Sequence, residues 1–151
     1  MPIQKANPND LNACLQIARA LSEWFTEKGL REIDHDIHNL PTYIYTDNDK
    51  ILGYVCVKEK FDNIIEITQF AVDRNSHRSG VGTKLINFVI DELASNKIIE
   101  VKTLDSSCDY EPYNQTRAFY EKNGFTKLEV IDPYPGWGED NPCAIYVKYP
   151  K

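Results

Sequence analysis

Residues 63–93 contain the patterns of a strand, a glycine turn and a helix in that order. Residues 63–73 are rich in Ile, Thr, Phe and Val, which favour β-strands. The turn SGVG follows at residues 79–82, and after it apolar side chains recur every three or four positions, the spacing of a helix that packs on a sheet. This order predicts a strand that passes through a tight turn into a helix, within a mixed α/β fold.

The elements on either side extend this core. Apolar residues at helical spacing predict a first helix after Asp10 and a second short helix from Leu21 to Lys28 that ends at Gly29. Further patterns predict a hairpin around DNDK, a strand at residues 98–104, a helix over NQTRAFYEK, and two last strands, FTKLEVI and CAIYVKY. We therefore predict a mixed, mostly antiparallel sheet flanked by helices, with one β-α-β crossover near the middle.

Length and composition limit the classes of protein to consider. The chain has 151 residues and no Pro/Gly-rich linker, which predicts a single domain over residues 1–151. Its net charge of -6 makes a nucleic-acid partner unfavourable, because such partners need a basic face. No apolar run approaches the roughly 20 residues of a membrane helix, and the amino terminus has no apolar signal core. We expect a cytoplasmic protein that binds neither nucleic acid nor membrane.

The cysteines and histidines do not indicate a metal site. The four cysteines are widely separated, unlike a metal knuckle or a disulfide framework, so we expect reduced thiols. Cys14 and Cys56 lie in apolar patterns and are interpreted as small buried hydrophobic residues. The cluster DHDIH at residues 34–38 is interpreted as a polar connection between a helix and a strand. No metal is expected.

The glycine turn suits a phosphate group. A helix that begins at SGVGT presents unpaired backbone N-H groups, and glycine lets a ligand come close to them. The helix dipole adds partial positive charge at the same end, and Arg78 can supply a full one. The turn lacks the Lys-Ser/Thr pair of the nucleotide P-loop and the third glycine of the dinucleotide fingerprint. By itself it is equally compatible with a plain strand-to-helix turn.

A second segment, FYEKNGF at residues 119–125, follows the glycine turn after one strand. The two segments together resemble the signature segments of the GNAT superfamily of N-acetyltransferases. His77 takes the place of the Gln or Arg in the first segment, and Gly80 and Gly82 take the glycine places. The order of elements is also similar along nearly the whole chain. The resemblance implies a single N-acetyltransferase domain that uses acetyl-CoA as cosubstrate.

The resemblance also implies where acetyl-CoA binds. The pyrophosphate is expected on the backbone amides of the glycine turn, which are those of His77, Arg78, Ser79, Gly80, Val81, Gly82 and Thr83. The pantetheine arm is expected to pair with the preceding strand, at Phe70, Ala71 and Val72. The resemblance also implies that this strand splays away from the next one, which opens a slot for the pantetheine arm. Tyr113 stands where the family often has Asn, and Asn114 comes one place later, so either side chain could contact the cosubstrate.

Acetyl transfer needs three groups besides the cosubstrate site. A protonated alkyl amine must lose a proton before it attacks the thioester. The tetrahedral oxyanion needs an N-H donor, for which the backbone amide of Val72 is the candidate. The leaving thiolate needs a proton, and Tyr120 holds the family's tyrosine position. We interpret Tyr120 as general acid or as hydrogen-bond donor to the sulfur, the alternative being a core aromatic residue.

Glu66 is the candidate base. It interrupts the apolar run IIEI, which predicts a carboxylate among isoleucines, and it stands where some members of the family carry a catalytic glutamate. The alternatives are a solvent-facing strand residue and an ordered water that takes the proton instead.

The acceptor side of this fold is built by the first helices and the last hairpin. Those segments offer Trp24, Phe25, Tyr134, Trp137, Glu139 and Asp140. Aromatic rings beside carboxylates can hold a cationic amine, although DPYPGWGEDNP also fits a β-turn loop anchored by its Trp. We expect the primary amine of a small molecule; the alternatives are a protein or peptide acceptor and an acyl-CoA-binding module without turnover. Exposed strands near the C-terminal end make a homodimer plausible.

Overall fold

A seven-stranded sheet organises residues 2–150, which are the residues that the computed structural model describes. The strands are β1 Ile3–Lys5, β2 Thr42–Asp47, β3 Lys50–Phe61, β4 Ile64–Val72, β5 Ile98–Leu104, β6 Thr126–Ile131 and β7 Cys143–Lys148. The helices are α1 Leu11–Arg19, α2 Glu27–Asn39, α3 Val81–Phe88 and α4 Glu111–Lys122. Short 3-10 turns lie at Pro8–Asp10 and Arg74–Ser76, and a π-helical turn, Val89–Leu93, extends α3.

The sheet topology confirms the predicted fold class. The strand order is β1-β2-β3-β4-β5-β7-β6. Every neighbouring pair is antiparallel except β4 and β5, which are parallel and joined through α3. In the predicted hairpin between β2 and β3, Asn48 and Asp49 both take the left-handed conformation, with φ of 51° and 63°. Two such residues in a row form the tight turn that suits the twist of paired strands.

Three apolar clusters line the sheet, and the two larger ones cover its two faces beneath the helices. Successive residues of a strand point to opposite faces, so Val55 and Val57 pack with α3 and α4 whereas Tyr54 and Cys56 pack with α1 and α2. We call these the α3/α4 face and the α1/α2 face. The predicted burial of Cys56 is confirmed, as is that of Cys14, because both thiols are fully buried.

The predicted second helix is wrong in its bounds. Residues 22–24 form a turn, and α2 begins only at Glu27 because the Thr26 hydroxyl oxygen accepts a hydrogen bond from the amide of Gly29 at 3.1 Å. Gly29 therefore lies in the first turn of a helix and does not end one. The apolar stripe of Leu30, Ile33 and Ile37 continues the helix on its buried side.

The same correction applies to residues 34–38, which we predicted to be a polar connection. They form the last part of α2, and their polar side chains lie beside its buried stripe. Polar composition was misleading because a helix on a sheet needs only one apolar face.

Two smaller differences concern ends of elements. The three-residue strand β1 was not predicted, because so short an edge strand depends on its pairing with β2. Helix α4 starts at Glu111, three residues before the predicted Asn114, since Pro112 fits the first turn of a helix. No helix within residues 2–150 combines the length and the apolar character needed to cross a membrane. The cytoplasmic location stays a prediction.

Candidate functional site

The two central strands separate at one end of the sheet. The last residue pair between β4 and β5 is Ile67 with Val101, although β4 stays paired with β3 up to Val72 and β5 stays paired with β7 up to Leu104. The separation begins beside Thr68, an extra residue in β4 that shifts its register against β3. Such a bulge bends the strand that carries it. A slot between β4 and β5 results.

The backbone of β4 offers hydrogen-bonding groups to this slot. The amide of Asp73 donates to a β3 carbonyl at 2.7 Å, and in an antiparallel ladder every second residue bonds to the same neighbour. Ala71 therefore also bonds to β3, whereas the N-H groups of Phe70 and Val72 point toward the slot. Of the three residues predicted to pair with the pantetheine arm, Phe70 and Val72 have free groups and Ala71 does not.

His77 contacts the end of β4 through its ring. Its Nε2 donates to the carbonyl oxygen of Val72 at 2.8 Å, which requires the proton on Nε2. The ring also packs edge-on against Trp24, with 6.0 Å between centroids. The backbone amide of His77, predicted to hold phosphate, instead makes a long 3.4 Å bond to the carbonyl of Arg74. The side chain thus orients a residue that lines the slot.

The start of α3 presents a group of free amides. Gly80 precedes the helix and no side chain caps it. The first bond into the helix runs from the amide of Lys84 to the carbonyl of Gly80 at 3.0 Å, so the amides of residues 81–83 have no helical acceptor. The amide of Ser79 is used within the turn, where it donates to Ser76 at 3.2 Å. An uncapped helix start of this kind fits a phosphate group.

The two glycines of the turn serve different purposes. Gly80 has φ of +89°, which favours glycine, and a Cβ there would meet nothing within 4 Å. At Gly82 a Cβ would lie 3.3 Å from Phe119 and 3.7 Å from Phe70, so glycine lets the helix start pack on these two rings. The exposed Arg78 lies beside the turn. The open space, the free amides and the cation together fit a pyrophosphate.

Tyr120 lies on α4 under the slot. Its side chain is 4% exposed, and its ring lies 6.4 Å from that of Phe70 and 5.4 Å from that of Phe125. Burial, with a smaller contribution from Tyr113, raises the pKa of Tyr120 well above its usual range. The hydroxyl therefore keeps its proton at neutral pH and can act only as a donor to a negatively charged group.

Glu66 lies among charged side chains on the α1/α2 face. Its carboxylate is 3.3 Å from Nζ of Lys102 and 4.0 Å from Nζ of Lys60, and Lys60 also pairs with Glu100 at 2.7 Å. The expectation of apolar surroundings is wrong, because the neighbouring isoleucines of the strand point to the other face. The nearly buried carboxylate is thus part of a four-residue ion network.

Hydrogen bonds to α4 and an ion pair with Arg74 after β4 hold the loop between α1 and α2 across the slot. Trp24 donates from Nε1 to the carbonyl of Pro112 at 3.0 Å and to the hydroxyl of Thr116 at 3.1 Å. Tyr113 donates in return to the carbonyl of Trp24 at 2.7 Å. On the other side, Arg74 after β4 pairs with Glu23. Trp24, predicted to bind the acceptor, and Tyr113, considered for the cosubstrate, therefore connect the loop to α4.

Asn114 is committed to other side chains. Its Nδ2 donates to Asp109 at 3.0 Å, and its Oδ1 accepts from the guanidinium of Arg117. Arg117 is buried and also donates to the carbonyl of Leu104 at the end of β5. A contact of Asn114 with the cosubstrate stays a prediction that requires these bonds to rearrange.

The loop between β6 and β7 covers the sheet beside Glu66. The rings of Tyr134 and Trp137 pack together at 5.0 Å, and Nζ of Lys102 lies 5.5 Å from the Tyr134 centroid. Burial alone would lower the pKa of Lys102, but the Tyr134 hydroxyl and the Glu66 carboxylate raise it overall, so this lysine stays charged. Glu139 is exposed. The structure therefore brings Tyr134 and Trp137 together near Glu66, while Trp24 belongs to the other loop.

Two polar residues on the α1/α2 face were not identified from the sequence. Gln69 of β4 donates from Nε2 to the Asp36 carboxylate at 3.0 Å, which joins α2 to the strand that lines the slot. In the sequence, Asp36 lies beside the apolar stripe of Ile33 and Ile37, and this position could have identified it. The wrong bounds predicted for the helix concealed the pattern. Within residues 2–150, no group of three or more His, Cys, Asp and Glu side chains could hold a metal ion.

Solved structures share this fold. An acetyltransferase of the GNAT family from Desulfovibrio desulfuricans is 18% identical with a TM-score of 0.83, over 97% of each chain. The aminoglycoside 6'-N-acetyltransferase from Enterococcus faecium is 20% identical with a TM-score of 0.72, over 99% of this chain and 97% of that one. The ribosomal-protein-S18-alanine N-acetyltransferase from Escherichia coli is 20% identical with a TM-score of 0.73, over 97% and 92%. At these identities the likeness concerns the fold.

Sequence comparison identifies the family. No significant match is found among curated protein sequences. The model of the acetyltransferase (GNAT) family, however, matches residues 11–125, which span the slot, the glycine turn and the tyrosine helix. The chain therefore belongs to the acetyltransferase (GNAT) family, whose members are N-acetyltransferases that use acetyl-CoA.

Proposed function

We propose that this protein transfers the acetyl group of acetyl-CoA to the primary amine of a small molecule. The observation that carries the proposal is the slot between β4 and β5, whose mouth lies next to the uncapped start of α3. The free N-H groups of the strand edge match the amides of the pantetheine arm. The free amides at the helix start match the pyrophosphate.

The proposed placement of acetyl-CoA uses backbone groups above all. The pyrophosphate lies on the amides of Gly80 and of residues 81–83, with Arg78 as countercharge. The pantetheine arm pairs with the backbone of Phe70 and Val72 along the slot. His77, Ser79 and Ala71 support these groups indirectly, because their own amides already have partners.

The proposed chemistry is direct attack of the amine on the thioester. The amine nitrogen bonds to the carbonyl carbon, the C-S bond breaks, and the thiolate leaves. The Val72 N-H donates to the oxygen that becomes negative. Tyr120 donates to the leaving sulfur; because an alkyl thiol has a pKa of about 8.5 and that of Tyr120 is raised above 10, hydrogen bonding is favoured over full proton transfer. Glu66, directly or through a water, accepts the proton of the amine.

A loop-walled acceptor site favours a small molecule over a peptide. Nζ of Lys28 on α2 donates to the carbonyl of Gly136 in the β6–β7 loop, so the two sides of the acceptor cleft are bridged. Tyr134 and Trp137 are the acceptor residues that we keep, because both lie in this loop close to Lys102 and Glu66. Glu139, which was also predicted to bind the acceptor, is exposed at the rim of the cleft. An open groove would suit a peptide better.

We also propose that β6 mediates a homodimer. This strand lies at the sheet edge, and its Leu128 and Val130 are 59% and 41% exposed. Leu128 is the extra residue of a bulge in β6, and two copies that pair antiparallel about this residue place Lys127 of one copy near Glu129 of the other. The edge is thus self-complementary in charge and apolar at its centre.

The glycine turn can be tested by binding. We expect Gly80→Ala to weaken acetyl-CoA binding about tenfold, because a left-handed alanine costs about 1–2 kcal/mol and relief of the strain misplaces the amides. Titration calorimetry measures the effect, with AMP as a check on generic phosphate binding. The matched control is Gly138→Ala, which has a similar φ of +85° in the distant β6–β7 loop and should leave acetyl-CoA affinity unchanged. Equal effects of both changes would contradict the assignment.

The role of Tyr120 predicts a loss of turnover without loss of binding. A hydrogen bond to a charged group contributes about 1.5–3 kcal/mol, so Tyr120→Phe should lower kcat about 10- to 100-fold at unchanged KM for acetyl-CoA. Tyr54→Phe is the control, since its hydroxyl is fully buried and has no hydrogen-bond partner among residues 2–150. Full turnover in Tyr120→Phe with the best amine would remove the donor role.

The role of Glu66 predicts a change in the pH profile of kcat. A base works only when ionised, so kcat rises with pH through the titration of the base. Glu66→Gln should lower kcat about 100-fold or more and abolish this low-pH limb. Glu100→Gln is the control, because Glu100 belongs to the same ion network but has no role in proton transfer. A low-pH limb that persists in Glu66→Gln would assign the base to water or another group.

The dimer predicts a molecular mass of twice the monomer by sedimentation velocity. Leu128→Glu should produce the monomer, because two carboxylates would meet at the centre of the interface. Phe61→Glu changes an apolar residue outside β6 that is even more exposed than Leu128, at 68%, at the end of β3, and should leave the mass at that of a dimer. A monomeric wild-type protein would exclude the interface.

A further inference from the structure

The Asp36 carboxylate is held in a fixed position on the α1/α2 face. Its Oδ2 accepts from Nε2 of Gln69 at 3.0 Å, and its backbone carbonyl accepts from the thiol of Cys56 at 3.6 Å. These contacts place the last turn of α2 over β3 and β4. Gln69 immediately precedes Phe70, whose N-H points toward the slot. The carboxylate is therefore fixed beside the strand that lines the proposed thioester site.

This carboxylate has no countercharge. No nitrogen of Lys, Arg or His in residues 2–150 forms an ion pair with Asp36, whereas Glu66 is paired with Lys102 and Lys60. Asp36 is half-buried, and the side chain that its carboxylate contacts, Gln69, is neutral. The carboxylate also lies in the last turn of α2, where the helix dipole disfavours negative charge.

The hydrogen bond to Gln69 does not require that charge. A neutral amide oxygen in the place of the Asp36 carboxylate would accept from Nε2 of Gln69 equally well. The hydrogen bond that joins α2 to β4 therefore explains the length and shape of the Asp36 side chain, but it does not explain why that side chain is charged. A cation that binds there would explain the charge.

The carboxylate can be reached from solvent. An open depression of about 370 Å³ runs along α2 and is lined by Lys28, Arg31, Glu32, His35 and Asp36. Lys28 at its far end bridges to the β6–β7 loop, which forms the other wall of the acceptor cleft. A ligand that enters along this depression meets Asp36 next to Gln69 and the end of the slot.

We propose that Asp36 binds the ammonium group of the acetyl acceptor and that Gln69 positions its carboxylate. This inference rests on the proposed function and narrows its substrate class to alkyl amines that are cations at neutral pH. Asp36 holds the ammonium near the slot as a specificity-determining residue. The ammonium first releases one proton to solvent water, and Glu66 keeps the separate role of accepting the second proton, which the nitrogen loses when the neutral amine attacks. The paired state of Glu66 suits this division, because its charge is already balanced by two lysines.

The test compares cationic with neutral acceptors in the 151-residue protein. The acceptors are 2-phenylethylamine and spermidine, which are cations at pH 7.5, and 4-methoxyaniline, which is neutral. Asp36→Asn keeps the acceptor for Gln69 and removes the charge. We expect KM for the cationic amines to rise about tenfold or more, the worth of a charge-assisted hydrogen bond. KM for 4-methoxyaniline and for acetyl-CoA should not change, and Tm should not fall.

The matched control is Asp34→Asn, the same change on the same helix at a side chain that is 52% exposed and pairs with His38. It should leave every KM unchanged. Equal changes in KM for cationic and neutral amines in Asp36→Asn, or no change in either, would overturn the role of Asp36 alone. The role of Asp36 would also be overturned if the wild-type protein binds acetyl-CoA but acetylates neither cationic amine. Wild-type protein that fails to bind acetyl-CoA in calorimetry would instead remove the proposed function, and this inference with it.

Discussion

The separation of β4 from β5 after the Ile67–Val101 pair is the constraint on which the site depends. Parallel strands normally share hydrogen bonds along their whole length, and a gap leaves strong donors and acceptors without partners. The extra residue Thr68 bends β4 at this point while β3 continues to hold its other edge. The sheet therefore stays intact on both sides of a slot whose edge is chemically unsatisfied, and that edge is where the fold can bind an extended amide chain.

The surroundings of the slot show how its edges are kept in place. The carbonyl of Val72 on one edge accepts from His77, and that of Leu104 on the other accepts from Arg117. Both acceptors are thus satisfied by side chains, whereas the Phe70 and Val72 N-H groups remain available. The fastened loop around Trp24 spans the same end of the slot. A rigid site with free donors favours binding of carbonyl and phosphate oxygens, because little order must be imposed on the protein when they bind.

Charge divides the proposed acceptor cleft into two parts. Glu66 belongs to a network that balances itself, in which Lys102 also contacts the Tyr134 ring. Asp36 has a neutral partner and an unbalanced charge. Two carboxylates on the same face of the sheet therefore differ in what they can bind. Lysines already balance the charge of Glu66, whereas the charge of Asp36 is available to a bound cation. The distinction depends on the partners of each side chain and not on residue type.

The fold class, the glycine turn and the family could all be predicted from the amino-acid sequence. Apolar periodicity and the order of elements are local signals, and they located β2 to β7, α1, α3 and most of α4 within a few residues. The two glycines could be identified as a turn before a helix, because their backbone requirement is local as well.

The bounds of α2 and the partners of the site residues could not be predicted in this way and became clear from the folded structure. A Thr26 cap outweighed the signal of Gly29, and the helix that resulted brought Asp36 over Gln69, 33 positions away in the chain. The isoleucines beside Glu66 suggested apolar surroundings, but strand alternation turned them to the other face and left Lys60 and Lys102 as the neighbours. Contacts between distant elements depend on how the sheet and helices pack together, and no local pattern specifies them.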